Sequence, residues 1–462
     1  MKSKERQQFY SGKTTFMDKE VSFEIEDYTM RLFVESEIVH SLLFEEISKG
    51  TYTLSSEKKP LNINNLKCLT NDGHYYLSVY FENDMYSANN ILNHGISILI
   101  VYFHHLIVTD MQSVNKEKHH YISIVSKNFY KFLGMVPNYK IEDLDNKKFS
   151  IDLNFQTKKM ETIVKYKGHE ITIYPQPSWS YNYSSLNYSP ALLFRFDSVM
   201  DEETLISFVD VWLKMFRYLF MRNNIYPDSI RLTVGVTYSE LYIPHQKQEK
   251  DLTEDLNQAF SDSICWADIY RHIPKLFELM CDDDLYMLNL KSSIGERLSA
   301  GIYSASLDAA AFDSEFDKSY PDGLKHREQR IKAEKEVEGA IKPLFDESKG
   351  DKRKIYKKLL SKIKSETLCD KMELAFEDNK DCLISLKKRY ANKLDYETIS
   401  NLCANFRNDV DHGNQYEEID DQLVCSFIML RGLVYAMQLK RCGLSNNEID
   451  PIVFKLFNIK RT

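Results

Sequence analysis

The sequence predicts an α+β protein in two parts, a β-rich half over 1–245 and an all-helical half over 252–462. Three observations lead there. Short runs that alternate apolar and polar residues, with turn signals between them, fill the first half. Apolar residues recur at helical spacing from 252 onward. Between the halves lies a polar stretch, His245-Gln246-Lys247-Gln248-Glu249-Lys250-Asp251, that reads as a linker. At 462 residues the chain is too long for one ordinary core, so two or three domains are expected, and the β-rich half has room for two subdomains.

In the first half, 21–25, 77–81, 149–155 and 230–234 alternate in the manner of half-buried strands. Turns are expected at Asn71-Asp72-Gly73, Lys167-Gly168-His169 and Pro175-Gln176-Pro177. Lys167-Gly168 sits between two alternating runs and predicts a hairpin. The run 96–108 is the most apolar of the chain, but Tyr102, His104 and His105 interrupt it and it is too short to span a bilayer; a buried strand is expected. One helix breaks the pattern, 201–222, with Asp201 as N-cap and Glu202 and Glu203 in its first turn.

In the second half, helices are expected over 264–281, 284–312, 325–342, 352–366, 380–391, 395–411 and 419–442, with breaks at Pro321, Pro343 and Gly350. Asp282-Asp283-Asp284 is expected to cap a helix starting near Leu285. The segment 419–442 is apolar around more than one stripe, which suits the centre of a bundle or a surface shared with a partner chain.

Acidic residues outnumber basic ones, 68 to 60, so the chain as a whole is not a general polyanion binder. Eight scattered cysteines without a C-x-x-C pair read as reduced thiols. The N-terminus leads into no apolar segment of the signal-peptide type, and a soluble, cytoplasmic protein without membrane contact is expected. No phosphate-binding or dinucleotide glycine loop occurs, so no cofactor is expected. His104-His105 and His119-His120 are expected to split across opposite strand faces, so no metal site is expected. Trp179, Tyr181, Tyr183 and Tyr188 form an aromatic stretch read as packing. The segment 351–364 is strongly basic; Lys352, Arg353, Lys354, Lys357 and Lys358 are either the solvated face of a surface helix or an RNA-docking patch.

The stretch with most chemical content is Phe406-Arg407-Asn408-Asp409-Val410-Asp411-His412-Gly413. Ile399, Leu402, Phe406 and Val410 form an apolar helix face, and Gly413 stops the helix. Arg407 and His412 are then about 140° apart on an ideal helix. They share a site only if the helix loosens near Asp411 or a second chain contributes. A bland alternative is an Arg407–Asp411 pair one turn apart, with His412 as a simple cap.

Arg407-Asn408 followed by His412 at a helix end, in an all-helical C-terminal half, resembles the Arg/His motif of HEPN domains. The layout, a β-rich half before the helical one, is similar to the ApeA-type anti-phage HEPN proteins. The segment 298–316 resembles the earlier bundle helix of that family, with Glu315 as a supporting acid. The resemblance implies a metal-independent endoribonuclease active as a homodimer, with Arg407, His412 and Asn408 catalytic and Asp411 supporting. It implies an RNA substrate, with tRNA as a candidate, a β-rich half that either holds the enzyme silent or recognises a phage-encoded trigger, and a composite site to which each protomer gives one Arg and one His. The residue types suit that chemistry. Histidine as a residue type moves protons near neutral pH. An arginine fork neutralises an anionic phosphorane-like transition state. The alternative is a non-catalytic dimeric HEPN scaffold carrying a β-rich recognition domain.

Overall fold

The computed structural model describes residues 9–48, 51–54, 60–61, 63–89, 95–111, 119–126, 129–134, 160–182, 185–234, 237–243, 263–323, 328–363, 366–412 and 419–458. The expected strand over 149–155, the polar stretch 245–251 and the expected stop at Gly413 lie outside them. The described residues divide into two compact units. One comprises those within 1–129, 157–210 and 227–253; the other comprises those within 130–156, 211–226 and 254–462. The architecture is α+β as expected, but the boundary is not one cut near 245: the helical unit also takes Val211–Tyr226 from the first half.

In the β unit the chain runs β1 (Phe9–Phe16), β2 (Lys19–Glu26), β3 (Thr29–Glu35), α1 (Ser36–Leu43), β4 (Phe44–Ser48), β5 (Thr51–Leu54), β6 (Asn65–Thr70), β7 (Tyr75–Asn89), β8 (Ile96–Asp110) and β9 (His119–Val125). After α2 (Phe129–Phe132) come β10 (Thr162–Tyr166), β11 (His169–Asn182), β12 (Ser185–Met200), α3 (Glu202–Leu219), β13 (Ser229–Val234) and β14 (Thr237–Tyr242). Twelve strands form one sheet in the order β10-β11-β12-β9-β13-β14-β8-β3-β2-β1-β6-β7, and β7 also pairs with β8. That last pairing closes β8-β3-β2-β1-β6-β7 into an antiparallel barrel, filled by Phe16, Phe23, Leu32, Leu77, Leu99 and Val101 among others. Closure removes the sheet edges that would otherwise stay unpaired.

Local sequence explains most of these turns. Lys167 and Gly168 both have positive φ (46° and 86°), and the hairpin β10–β11 pairs Tyr166 with His169 across them. Gly73, with φ 68°, closes the β6–β7 turn. The expected turn at Pro175-Gln176-Pro177 is absent: β11 continues through it, pairing Pro175 with Leu192 and Pro177 with Pro190. Its other neighbour, β10, pairs only as far as Ile173, so among the described residues no ladder hydrogen bond is lost to the missing proline N–H beyond that point. Asp201 caps α3 as expected, its carboxylate accepting from the Thr204 backbone N–H at 2.8 Å.

The helical unit contains α4 (Trp266–Ile269), α5 (Ile273–Cys281), α6 (Ile294–Arg297), α7 (Ile302–Ser319), α8 (Glu328–Glu347), α9 (Asp351–Ile363), α10 (Leu368–Asp378), α11 (Ile384–Tyr390), α12 (Tyr396–Asp411), α13 (Asp421–Arg441) and α14 (Asn446–Phe457). No helix starts at Leu285. The backbone of 284–293 is irregular there, and it is held by the Asn223 N–H donating to Lys291 O at 3.1 Å. Pro343 does not break α8; the carbonyl of Gly339 that loses its partner lies at an exposed position of the helix, open to solvent.

α13 is buried on nearly all sides and packs against α7, α11, α12 and α14. It is the one helix, among the described residues, long and apolar enough to cross a bilayer, and 83% of its apolar window is buried inside this unit. Phe406 meets Phe427 edge-on at 5.7 Å, joining the end of α12 to the start of α13, which makes the two antiparallel. At Gly432 a Cβ would overlap Leu386 Cδ2 and come within 3.3 Å of Val453 Cγ1, so glycine sets how closely α13 meets α11 and α14. Gly432→Ala is expected to destabilise this unit by about 1–3 kcal/mol, read as a lowered denaturation midpoint of the helical signal. An unchanged midpoint would show that Leu386 moves aside freely.

Candidate functional site

α12 carries Arg407, Asn408 and Asp411 in its last turns. Asp395 caps its start, accepting from the Thr398 N–H at 2.8 Å. Ile399, Cys403 and Phe406 are fully buried, while Leu402 and Val410 are half-buried, so the buried face is turned slightly from the expected stripe. The helix stays regular to Asp411, and the His412 N–H donates to Asn408 O at 3.0 Å with His412 as the C-cap. It does not loosen before the histidine, so Arg407 and His412 keep their angular separation within one chain.

Four side chains gather at this end. The Arg407 Nε lies 2.9 Å from the Asp411 Oδ2, and its Nη1 donates to Asn408 Oδ1 at 3.2 Å. Ser306 of α7 donates its hydroxyl to Asp411 Oδ1 at 3.3 Å. The ion pair is open to solvent, Arg407 being 39% exposed and Asp411 37%, and His412 is exposed. A pair this exposed is worth only a few tenths of a kcal/mol, so Arg407 is easily released to another anion. Ser306 is the member that sequence reasoning missed. On α7, Ile302 and Tyr303 lie one turn before it and are 55% and 80% exposed, an apolar stripe beside the Arg407 cluster.

Glu315 is not at this site. It is fully buried and shares its oxygens among Arg441 Nη1 (2.6 Å), Gln438 Nε2 (3.1 Å) and the Tyr286 backbone N–H (3.2 Å). It supports the packing of α7 on α13 rather than any solvent-facing chemistry. Asp284 pairs with Arg441 and Lys318, so it holds α13 instead of capping a helix that starts near Leu285, while Asp282 is the C-cap of α5 and Asp283 pairs with Lys214.

No protein-family model, curated protein or solved structure matches the chain.

The basic residues fall on α9, which has no buried residue among those described and packs against α8. Lys352, Arg353, Lys354, Lys357 and Lys358 are exposed; Lys364 lies outside the described residues. Arg353 stacks over Phe345 of α8 at 4.8 Å, and Lys354 pairs with Asp351 at 3.0 Å. Ile355 and Leu359, an apolar pair at helical spacing on the same helix, are exposed as well. All eight cysteines are free thiols, and burial pushes Cys68 and Cys442 up to about 12, which keeps them protonated and unreactive. The pair His104–His105 does not split across β8 as expected. The register with β7 steps from Tyr80↔His105 to Phe81↔Phe103, so His104 is an extra, bulged residue and both rings come together. Among the described residues no group of three or more His, Cys, Asp or Glu side chains is arranged to hold a metal ion. The side chains of Trp179, Tyr181 and Tyr188 and all of Tyr183 lie outside what is described.

Proposed function

We propose that the protein is a HEPN-type, ApeA-like endoribonuclease of anti-phage defence that cuts RNA, tRNA in particular, without a metal. The observation that carries this reading is the cluster at the end of α12: an arginine held by an exposed pair with Asp411 and a hydrogen bond to the Asn408 side chain, and an exposed histidine at the cap. In the reaction a histidine accepts the proton of the ribose 2′-OH, whose oxygen attacks the phosphorus. The 5′-oxygen leaves with a proton given by the protonated histidine of the other protomer, giving a 2′,3′-cyclic phosphate and a 5′-hydroxyl end. Arg407 leaves Asp411 for the developing charge on phosphorus, and Asn408 holds a phosphate oxygen. A regular helix keeps Arg407 and His412 apart, so the site is completed by a second copy of the chain. The exposed Ile302 and Tyr303, one turn from Ser306 and its bond to Asp411, supply a surface for that copy. The exposed cations of α9 suit the RNA backbone. The β unit serves as the sensor of a phage-encoded trigger in the cytoplasm.

A second reading has its own observation. The Arg407–Asp411 pair is formed, as in an ordinary helix end, and this favours a non-catalytic dimeric scaffold with a β-rich recognition unit.

The first reading is tested by incubating the protein with total bacterial RNA in EDTA, with and without lysate of phage-infected cells. Discrete fragments with cyclic-phosphate ends are expected; intact RNA in both arms supports the scaffold. Tyr303→Glu places a charge on the apolar stripe. It is expected to turn dimers into monomers in sedimentation and to abolish cleavage with them. A monomeric variant that still cuts RNA would refute the composite site.

A further inference from the structure

The β unit carries an open cleft of about 520 Å³ between the β7–β8 bulge and the first turns of α3. Its size is that of a small-molecule site. Its polar lining comes from His104, Glu82, Glu203, Asp210, Asn64 and Ser207, with Phe81 and Ile206 supplying apolar wall. Among the described residues no lysine or arginine lines it; Lys167 donates to the Ser207 hydroxyl at 2.9 Å. One wall is fixed by a buried anchor. Glu202 accepts from the Tyr80 hydroxyl at 2.6 Å and from Ser78 at 3.3 Å, and pairs with Lys67.

The bulge is what makes this cleft chemically specific. In a regular strand His104 and His105 would face opposite sides. The extra residue turns them together, with Nδ1 to Nδ1 at 2.5 Å, and His105 Nε2 lies 3.1 Å from Asp210 Oδ1. Asp210 can only accept, so His105 Nε2 donates to it. With both imidazoles neutral, His105 Nδ1 then accepts and His104 Nδ1 donates. The remaining His104 nitrogen, Nε2, keeps its lone pair. Partial burial, the largest cause, holds His104 below the usual imidazole range, which favours this neutral form. Bulges are found where a side chain is re-aimed toward a site.

We propose that this cleft binds a small organic cation, an amine or guanidine on a short apolar stem. His104 Nε2 accepts a hydrogen bond from its N–H groups, Glu82, Glu203 and Asp210 balance its charge, and Phe81 and Ile206 pack on the stem. The cation is the ligand of the β unit and is bound whether or not the Arg407 cluster cuts RNA.

The test is titration calorimetry of the full chain with agmatine, with butylamine, and with inorganic phosphate as the anionic control. Saturable binding of agmatine is expected, with butylamine weaker and no binding of phosphate. Glu203→Gln and His104→Phe, both at exposed positions, are each expected to weaken agmatine by about tenfold or more while the circular dichroism spectrum is unchanged. Three results would each overturn the proposal: no saturable binding of agmatine, an affinity unmoved by both substitutions, or phosphate binding with comparable strength. The double variant Glu82→Gln/Glu203→Gln separates charge from hydrogen bonding, because it keeps His104 and removes two carboxylates. Unaltered binding there would also sink the idea.

Discussion

Arg407→Ala and His412→Ala are each expected to remove RNA cleavage while leaving the fold intact. The sizes follow from the roles. Loss of a group that stabilises transition-state charge lowers turnover roughly 10²–10³-fold, and loss of a general acid or base roughly 10²–10⁴-fold. The stability change is small by contrast. Arg407 gives up an exposed i,i+4 pair with Asp411 and one hydrogen bond to Asn408, together a few tenths of a kcal/mol. The two numbers pull the readings apart. A purely structural Arg407 cannot change cleavage by orders of magnitude while barely moving the melting curve. Asp411→Asn sharpens the comparison, because it removes the partner that holds Arg407 at rest and leaves the guanidinium in place. Cleavage is expected to persist in that variant. If Arg407→Ala and His412→Ala both cut RNA as the wild type does, the nuclease reading is lost.

Much of this arrangement was legible in the sequence, because it is written in local chemistry. Helical spacing placed α12 and α13, Asp201 announced the start of α3, and Lys167-Gly168 announced a hairpin. Two helices that went unread, α10 and α14, carry their own start signals: Thr367 with Asp370, and Ser445 with Glu448, each form a reciprocal capping box. Other features depend on partners far along the chain and leave no local trace. The prolines of β11 sit in a strand because β10 ends before them. The bulge at His104 exists because β7 and β8 close a barrel, and a period-two reading of the strand cannot show it. Ser306 joins the Arg407 cluster across about a hundred residues of sequence, a contact only the packing of α7 on α12 creates. Glu315 shows the opposite case: an acid on the expected helix that packing seals away from the surface.

The largest stability effect is expected inside the helical unit, at Asp308. This carboxylate is fully buried on α7. Its Oδ2 lies 2.7 Å from the Nε of Arg431, also fully buried, and its Oδ1 lies 2.9 Å from Lys291 Nζ. Asp308→Ala leaves two cations in the core without their anion. Breaking a buried pair in this way costs about 3–5 kcal/mol, a large share of the roughly 5–15 kcal/mol that holds a domain together. The helical circular dichroism signal, which reports this unit, is expected to lose its folded baseline at far lower denaturant, in contrast to the near-silent Arg407→Ala. Replacing all three groups by apolar residues (Asp308→Leu, Lys291→Met and Arg431→Met) removes the stranded charges, yet full recovery is not expected. Arg431 Nη1 also donates to the carbonyls of Arg297 and Ser299, at 2.7 Å each. Without it those buried acceptors lose a donor, at about 1–3 kcal/mol for each one left unsatisfied. The triple variant should therefore fall between wild type and Asp308→Ala. A midpoint for Asp308→Ala within error of the wild type would mean that water reaches Arg431 and that the α7–α13 contact is looser than its geometry requires.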